Sequence, residues 1–480
     1  MKRKILLSGM ILIAACSNIA VSAEDVSSTE QQKSEEVKKE KSGGGKPELD
    51  ISGAAAVHTA FTSPHNKYYA KKSSKSDKDT KSPRIAAGEA NVDFNAKGTF
   101  DNGVRYGATI SFDAMKGDTG VDKMYVFFEK DNIGTAQIGS VKGVESTMLC
   151  GGQQLLGGTC GVDGTVAHDM DYATGVISPL YLIGYTGKAT KIAYYSPRIY
   201  GFQFGLSFTP DTKHVGHDDK NRRAGDSSQG NDDGIYWTDK KRPYAYIERP
   251  SGRNNIALGL NHKYEFNNGI GTKFAAVYLF ENTKSVGAFD GQDNLIGKKL
   301  DIRNARGYQV TGTISYKKWA IGAGFLWNGK SRLPKGDRYI TEILESDRDG
   351  KGVQHPNYGE YKTAFLATKN SNSGNAWNVG AQYKYDDNLT FAAVFHRSQR
   401  KIDKGQKTKA NMLTVTADYK ICDGLLVFFE FDHIQTKSCS KACEIFDKAF
   451  QKEKAFKEGK GRAIKKQNCQ LFAIGAKVSF

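Results

Sequence analysis

From Pro47 onward, apolar and polar positions alternate with a period of two. Leu49, Ile51, Ala55, Val57 and Phe61 share one stripe, followed by Val92, Phe94, Ala96 and Phe100, then Val104, Tyr106, Ala108, Ile110 and Phe112. Successive side chains of an extended strand point to opposite faces, so each run predicts a strand with one apolar face. The segment Asp101-Asn102-Gly103 separates two such runs, and Asn-Gly between alternating runs is a strong hairpin signal. The pattern recurs as pairs. Residues 191–198 and 201–210 flank Ile199-Tyr200, and 255–266 meets 271–280 across Asn267 to Ile270. Residues 307–316 meet 319–327 across Lys317-Lys318. Residues 376–385 meet 389–397, and 411–421 meets 425–433 across Cys422-Asp423-Gly424. With 123–130 and 134–141 the pattern predicts sixteen strands.

The connections alternate in length. One side has turns of a few residues. The other has long polar segments at 62–83, 142–187, 211–254, 284–304, 328–374 and 436–466, with 116–121 and 400–409 the short exceptions. Strands of about 9–11 residues, short turns at one end and long loops at the other, match an outer-membrane barrel. In lipid every backbone group must be paired within the protein, so a spanning sheet must close. A soluble sandwich alternates too, with its apolar face inside. Three features favour the barrel: an export signal, the asymmetry of the connections and the even strand count. Tyr316, Trp319, Trp327, Tyr385 and Phe480 stand near strand ends, where an interfacial aromatic girdle belongs. The fold expected is all-β, a 16-stranded antiparallel transmembrane β-barrel over residues 47–480.

The first 23 residues read differently. Lys2, Arg3 and Lys4 precede a short apolar core from Ile5 to Ala15, and Val21-Ser22-Ala23 has the small residues of a cleavage site. This is a secretory signal too short to span a membrane, with cleavage expected after Ala23. Ile13-Ala14-Ala15-Cys16 also resembles the box in which bacteria lipidate a cysteine. Residues 24–46 have almost no apolar mass and are expected to be a flexible polar segment.

Composition adds to this picture. Fifty-two Gly, 23 Tyr and 25 Phe against only 10 Pro suit many short strands. The net charge of +17 includes the three cations of the export signal. The rest are spread through polar stretches, which points to solvated loops with a mild attraction for anions. The Lys-rich segments 67–81 and 448–466 lack interleaved aromatics apart from Phe450 and Phe456, so no nucleic acid partner is expected. Export permits disulfides. Cys150 and Cys160, ten apart, are the expected pair. Cys439, Cys443 and Cys469 lack the spacing of a common zinc finger, which favours a loop disulfide over metal. Cys422 stands apart.

Other candidate chemistry is sparse. His214 and His217 lie in a polar loop as an exposed cluster, and neither a Gly-x-Ser-x-Gly elbow nor a His-Glu-x-x-His motif is present. His262 and His396 have no assignable serine partner for hydrolysis. No catalytic residue, metal or cofactor is expected. Residues 443–460 could form a short amphipathic helix over the barrel mouth.

Three stretches resemble the general diffusion porins of Gram-negative bacteria, most of all the family of alphaproteobacteria and their relatives. These are EANVDFNAKGTFDNGVRYGATISFDA at 89–114, IAYYSPRIYGFQFGLSFTPD at 192–211, and the terminal strand. The resemblance spans residues 47 to 480. It implies a homotrimer in contact with outer-membrane lipid and lipopolysaccharide, with 116–121 as the contact to a neighbour. It also implies a long third external loop, here 142–187, folded inward to narrow the pore. Carboxylates on such a loop face a basic cluster on the wall. The candidates here are Asp163, Asp169 and Asp171 on the loop, with Lys97 and Arg105 on the wall, inward by strand parity. Phe472, Ile474, Ala476, Val478 and Phe480 would serve both as a seam with the first strand and as the signal read by the outer-membrane barrel assembly machinery.

The function expected is passive diffusion of small hydrophilic solutes and ions through a water-filled barrel, because sixteen strands leave a channel that eight would fill. The alternatives are a surface adhesin or structural barrel, and a substrate-specific channel.

Overall fold

A computed structural model describes residues 47–62, 84–114, 120–160, 182–212, 246–247, 251–285, 288–289, 299, 301–333, 335, 371–403, 406–437 and 466–480. The strands are β1 (Glu48–Thr62), β2 (Arg84–Thr99), β3 (Arg105–Asp113), β4 (Val121–Lys130), β5 (Gly134–Ser140), β6 (Thr190–Tyr195), β7 (Phe202–Asp211) and β8 (Tyr246–Ile247). They continue with β9 (Gly252–Glu265), β10 (Ile270–Thr283), β11 (Ala288–Phe289), β12 (Ala305–Tyr316), β13 (Trp319–Trp327) and β14 (Asn375–Lys384). The last four are β15 (Leu389–Asp403), β16 (Gln406–Cys422), β17 (Leu425–Lys437) and β18 (Lys466–Ser479). Among the described residues, a short helix, α1 (Val144–Thr147), and a 3-10 turn at 153–155 follow β5.

Sixteen of these strands form one closed antiparallel barrel, and β8 with β11 form a separate two-stranded ribbon. Closure is made by β1 and β18, in register from Ala54 opposite Ser479 to Thr62 opposite Leu471. Gly53 and Phe480 exchange backbone hydrogen bonds of 2.8 and 3.0 Å at the seam. A Cβ at Gly53 would lie 2.8 Å from Cζ of Phe480, so glycine makes room for the terminal ring. The expected pairing of the last strand with the first is therefore what closes the ring.

The apolar stripe faces outward. Val310, Ile321, Val379, Ile474 and Val478 are 44–59% exposed, whereas the alternate residues Thr311, Ser111 and Ala473 are buried. Lipid replaces water around such a stripe, and it is the inner face that is polar. Rings crowd both ends of the strands. Phe100 with Tyr106 (4.3 Å) and Trp319 with Tyr383 (4.5 Å) sit by the short turns, and Tyr308 with Trp327 (5.4 Å) sits by the long connections. At about 3.3 Å per residue, Trp319 and Trp327 are roughly 26 Å apart along the strand, which at a tilt of about 35–45° is about 19–22 Å of height, most of the roughly 25 Å apolar band of an outer-membrane barrel.

Strand boundaries differ most from expectation at the β15–β16 connection, and β8 and β11 fall inside connections expected to be loops. β15 and β16 reach Asp403 and Gln406, so the connection is shorter than 400–409. The two strands continue as a ribbon paired from Gln399–Lys409 to Asp403–Gln406. Beyond lipid neither face needs to be apolar, so Ser398 to Lys409 carry no alternation to read.

Candidate channel lining

The connection between β5 and β6 supplies the candidate site. It leaves β5 at Ser140, and its described parts are 141–160 and 182–189. Both parts are held by inward-facing groups of the wall. At the start, Glu145 is buried and its carboxylate accepts from Thr186 Oγ1 (2.5 Å), from the Thr186 N–H (3.3 Å) and from Ser207 Oγ on β7 (3.2 Å). The Lys191 ammonium donates to the carbonyls of Val141 (2.5 Å) and Gly187 (2.7 Å). These contacts tie the outgoing and returning arms together at their base.

Further along, the segment passes strand after strand. Val144, Met148 and Ala257 form one small buried cluster. The Cys150 N–H donates to Thr311 Oγ1 on β12 (3.0 Å), and Gln382 Nε2 on β14 donates to the Leu155 carbonyl (2.8 Å). Leu156 packs with Ala392 and Val394 of β15. At the far end the Gly157 N–H donates to Thr416 Oγ1 (3.3 Å) and the Gly158 N–H to Asp418 Oδ1 (2.9 Å), both on β16. Thr159 donates through its N–H (2.5 Å) and its hydroxyl (2.9 Å) to Glu430 on β17. Four donors from three consecutive residues converge on this stretch of wall, so this end is fixed firmly. The returning arm is held by Asn328, which accepts from the Ile183 N–H (2.7 Å), and by Asn255, which donates to the Gly184 carbonyl (2.7 Å). Leu182 joins Val277, Leu279 and Leu326 in an apolar cluster on the inner wall. Beside it, Glu281 is fully buried and takes two 2.8 Å bonds from Arg332.

The wall that these contacts leave open is formed by β1 to β4 and β18. Two ion pairs lie on it: Lys477 with Glu89 (2.7 Å) and Lys123 with Asp93 (3.3 Å). At the rim, Lys188 pairs with Asp122.

The residues expected at a constriction are only partly brought together. Asp163, Asp169 and Asp171 lie outside the described residues, as do His214, His217, the signal sequence, residues 24–46 and the 443–460 stretch. Arg105 and Lys97 sit toward the short-turn end. Arg105 bonds Glu129 (3.1 Å) and Asp131 (2.7 Å) at the β4–β5 turn, and these acids hold its guanidinium charge in place. Lys97 pairs with Gly107 across β2 and β3 and is exposed. One expectation is corrected. Cys150 is a free thiol, so no Cys150–Cys160 disulfide forms, whereas Cys160 is disulfide-bonded to a different cysteine. The segment runs outstretched along the wall, with Cys150 at β12 and the neighbour of Cys160 at β17, so no hairpin brings the two sulfurs together. Burial pushes the Cys150 thiol above its ordinary range. The residues not anticipated are Glu145, Asp418 and Glu430. Parity exposes the last two, since Asp418 alternates with Ala417 and Tyr419, and Glu430 with Phe429 and Phe431, and both must face inward. Nothing in the pattern says what they bind.

A sequence profile described as Gram-negative porin matches residues 10–438. The chain belongs to this porin family. Family and closed barrel together place it in the outer membrane. Among curated proteins, it is 22% identical over 275 residues to an uncharacterised protein of Rickettsia prowazekii (52% of each chain). It is 21% identical over 352 residues to one of Rickettsia conorii, covering 67% of this porin and 71% of that protein. The chain spans about half the length of the first of these relatives. Among solved structures, the trimer form of OmpT of Vibrio cholerae is similar in fold, with a TM-score of 0.50, 12% identity and coverage of 91% of this porin and 100% of OmpT. An anion-selective porin from Comamonas acidovorans gives a TM-score of 0.45 at 12% identity, over 91% of this porin and 100% of that chain.

Proposed function

We propose that this porin forms a water-filled channel for passive diffusion of small hydrophilic solutes and ions, and that its β5–β6 connection is the inward loop that narrows it. The observation that carries this reading is the chain of bonds from Ser207 to Glu430, which holds residues 141–160 against inward-facing groups of the wall. A sixteen-strand ring is too wide for wall side chains alone to fill. A segment laid along one side reduces the bore without plugging it. In the two ion pairs of the open wall the charges offset each other, so the ion preference follows the overall cationic surplus and is a slight one for anions.

The same reading makes the protein a homotrimer among outer-membrane lipid and lipopolysaccharide, exported by a cleaved signal and inserted by the barrel assembly machinery. It performs no catalysis. Reconstitution into planar bilayers tests it, with single-channel conductance and the reversal potential in a salt gradient read together. Steps of stable conductance that do not saturate with solute support diffusion. Saturable, solute-blocked current would instead make it a substrate-specific channel, and an ion-tight barrel would leave the adhesin or structural role.

A further inference from the structure

We propose that two inward-facing glycine pairs, Gly205–Gly259 and Gly322–Gly380, are positioning residues for the channel: they sink residues 144–152 into the wall and so set how much lumen stays open. The proposal rests on the reading of the β5–β6 connection as the loop that lines the bore. Each pair is made of direct register partners on adjacent strands, Gly205 opposite Gly259 on β7 and β9, and Gly322 opposite Gly380 on β13 and β14.

What each pair faces is specific. A Cβ on Gly259 would come 2.5 Å from Met148 Sδ, and one on Gly205 would collide with the same sulfur and reach 2.8 Å from Val144 Cγ1. Met148 is buried, so its thioether fills the hollow these two residues leave. At the second pair backbone meets backbone. A Cβ on Gly322 would lie 2.8 Å from both Gly151 C and Gly152 N, and one on Gly380 would lie 3.2 Å from Gly152 O. The segment answers in kind, because a Cβ on Gly152 would lie 2.9 Å from Gly322 O and from Gly380 N. At Gly322 the opposing atoms are backbone, so a larger residue there must lift the segment toward the lumen; at Gly205 and Gly259 the opposing atom is the thioether of Met148, which must give way or carry α1 with it, and a Cβ on Gly380 would first meet Val394 Cγ2 of the wall at 2.5 Å. The anchors at Glu145 and Glu430 fix where the segment starts and ends its descent. The glycines decide how deep it lies between them.

Cys150 provides a reporter that does not depend on conduction. Its thiol is free, and its N–H is bonded to Thr311 right beside Gly151. The test uses the full-length protein carrying Cys422→Ser, because Cys422 is exposed. Labelling of Cys150 by a water-soluble maleimide is followed by peptide mapping, and conductance is recorded for single channels of the folded, heat-modifiable species alone. Gly322→Ala is expected to speed labelling by roughly tenfold (about 1.4 kcal/mol) and to lower single-channel conductance. Gly205→Ala is expected to do the same, and adding Met148→Ala is expected to restore both values by removing the sulfur that collides. A loss of folding alone would lower the number of channels and not the conductance of each. Unchanged labelling in both variants overturns the seat. Faster labelling at unchanged conductance overturns its role in setting the lumen. An ion-tight wild-type barrel would sink the channel reading and the lumen claim with it, while labelling and rescue would still decide whether the glycines seat the segment.

Discussion

Glu430 shows what a single inward position does in this barrel. Its side chain is fully buried, and both oxygens accept from Thr159. Truncation leaves the buried Thr159 N–H and hydroxyl without their partner, a loss on the order of 1–3 kcal/mol. Closure of the barrel does not use this side chain, because β17 pairs through its backbone. Glu430→Ala is therefore expected to assemble normally and to show noisier, larger single-channel current as residues 157–159 loosen. Current as quiet as wild type would show that Asp418 and the Cys160 disulfide hold that end without it. The alternation of the sequence places Glu430, Asp432 and Asp418 on the inner face. It is silent on their partners, because Thr159 lies 271 residues away in the chain. The cysteine assignment failed for a related reason. Nine intervening residues permit a hairpin, but the wall contacts hold that stretch extended and separate Cys150 from Cys160.

At the scale of the strand, the outward stripe meets lipid, and its cost function is depth. Ala323 lies midway between Trp319 and Trp327 on β13, faces outward and is exposed. A lysine near the bilayer midplane costs about 2–4 kcal/mol. Ala323→Lys is expected to lose that much in equilibrium unfolding from lipid vesicles, while Trp319→Lys at the rim is expected to lose about 1 kcal/mol or less. Equal losses at the two sites would contradict the depth assignment. The terminal strand is a separate case. Phe480 makes two backbone bonds to Gly53 at the margin of an otherwise complete β1–β18 ladder. Deleting it is expected to lower the yield of protein in the outer membrane more than it lowers the stability of barrels already assembled. Equal yield from the shortened and intact chains would count against an assembly role. Element type was legible wherever lipid forces alternation. It faded in the β15–β16 ribbon, where the outer face leaves lipid and need not be apolar, and in β8 and β11, which at two residues are too short to show a period.

For the whole molecule, the barrel divides into a wall bonded to residues 141–160 and a wall, β1 to β4 and β18, that carries the Lys477–Glu89 and Lys123–Asp93 ion pairs. The trimer expected of it is checked by unheated gel electrophoresis, in which a trimer-sized band that collapses to monomer on heating is the expected result. A monomer-sized band in mild detergent would oppose it. The sequence by itself determined the sixteen spanning strands, their outward faces, the long and short ends, and the seam of β1 with β18. These follow from local rules: a side-chain period of two, turn residues that admit few geometries, and the need to pair every backbone group in lipid. Only the tertiary structure decided how the β5–β6 connection lies, which carboxylates hold it and which cysteine goes unpaired. Those contacts join residues 145 to 430 across the bore, and they depend on the diameter and register of the closed ring, quantities to which no single stretch of the chain is sensitive.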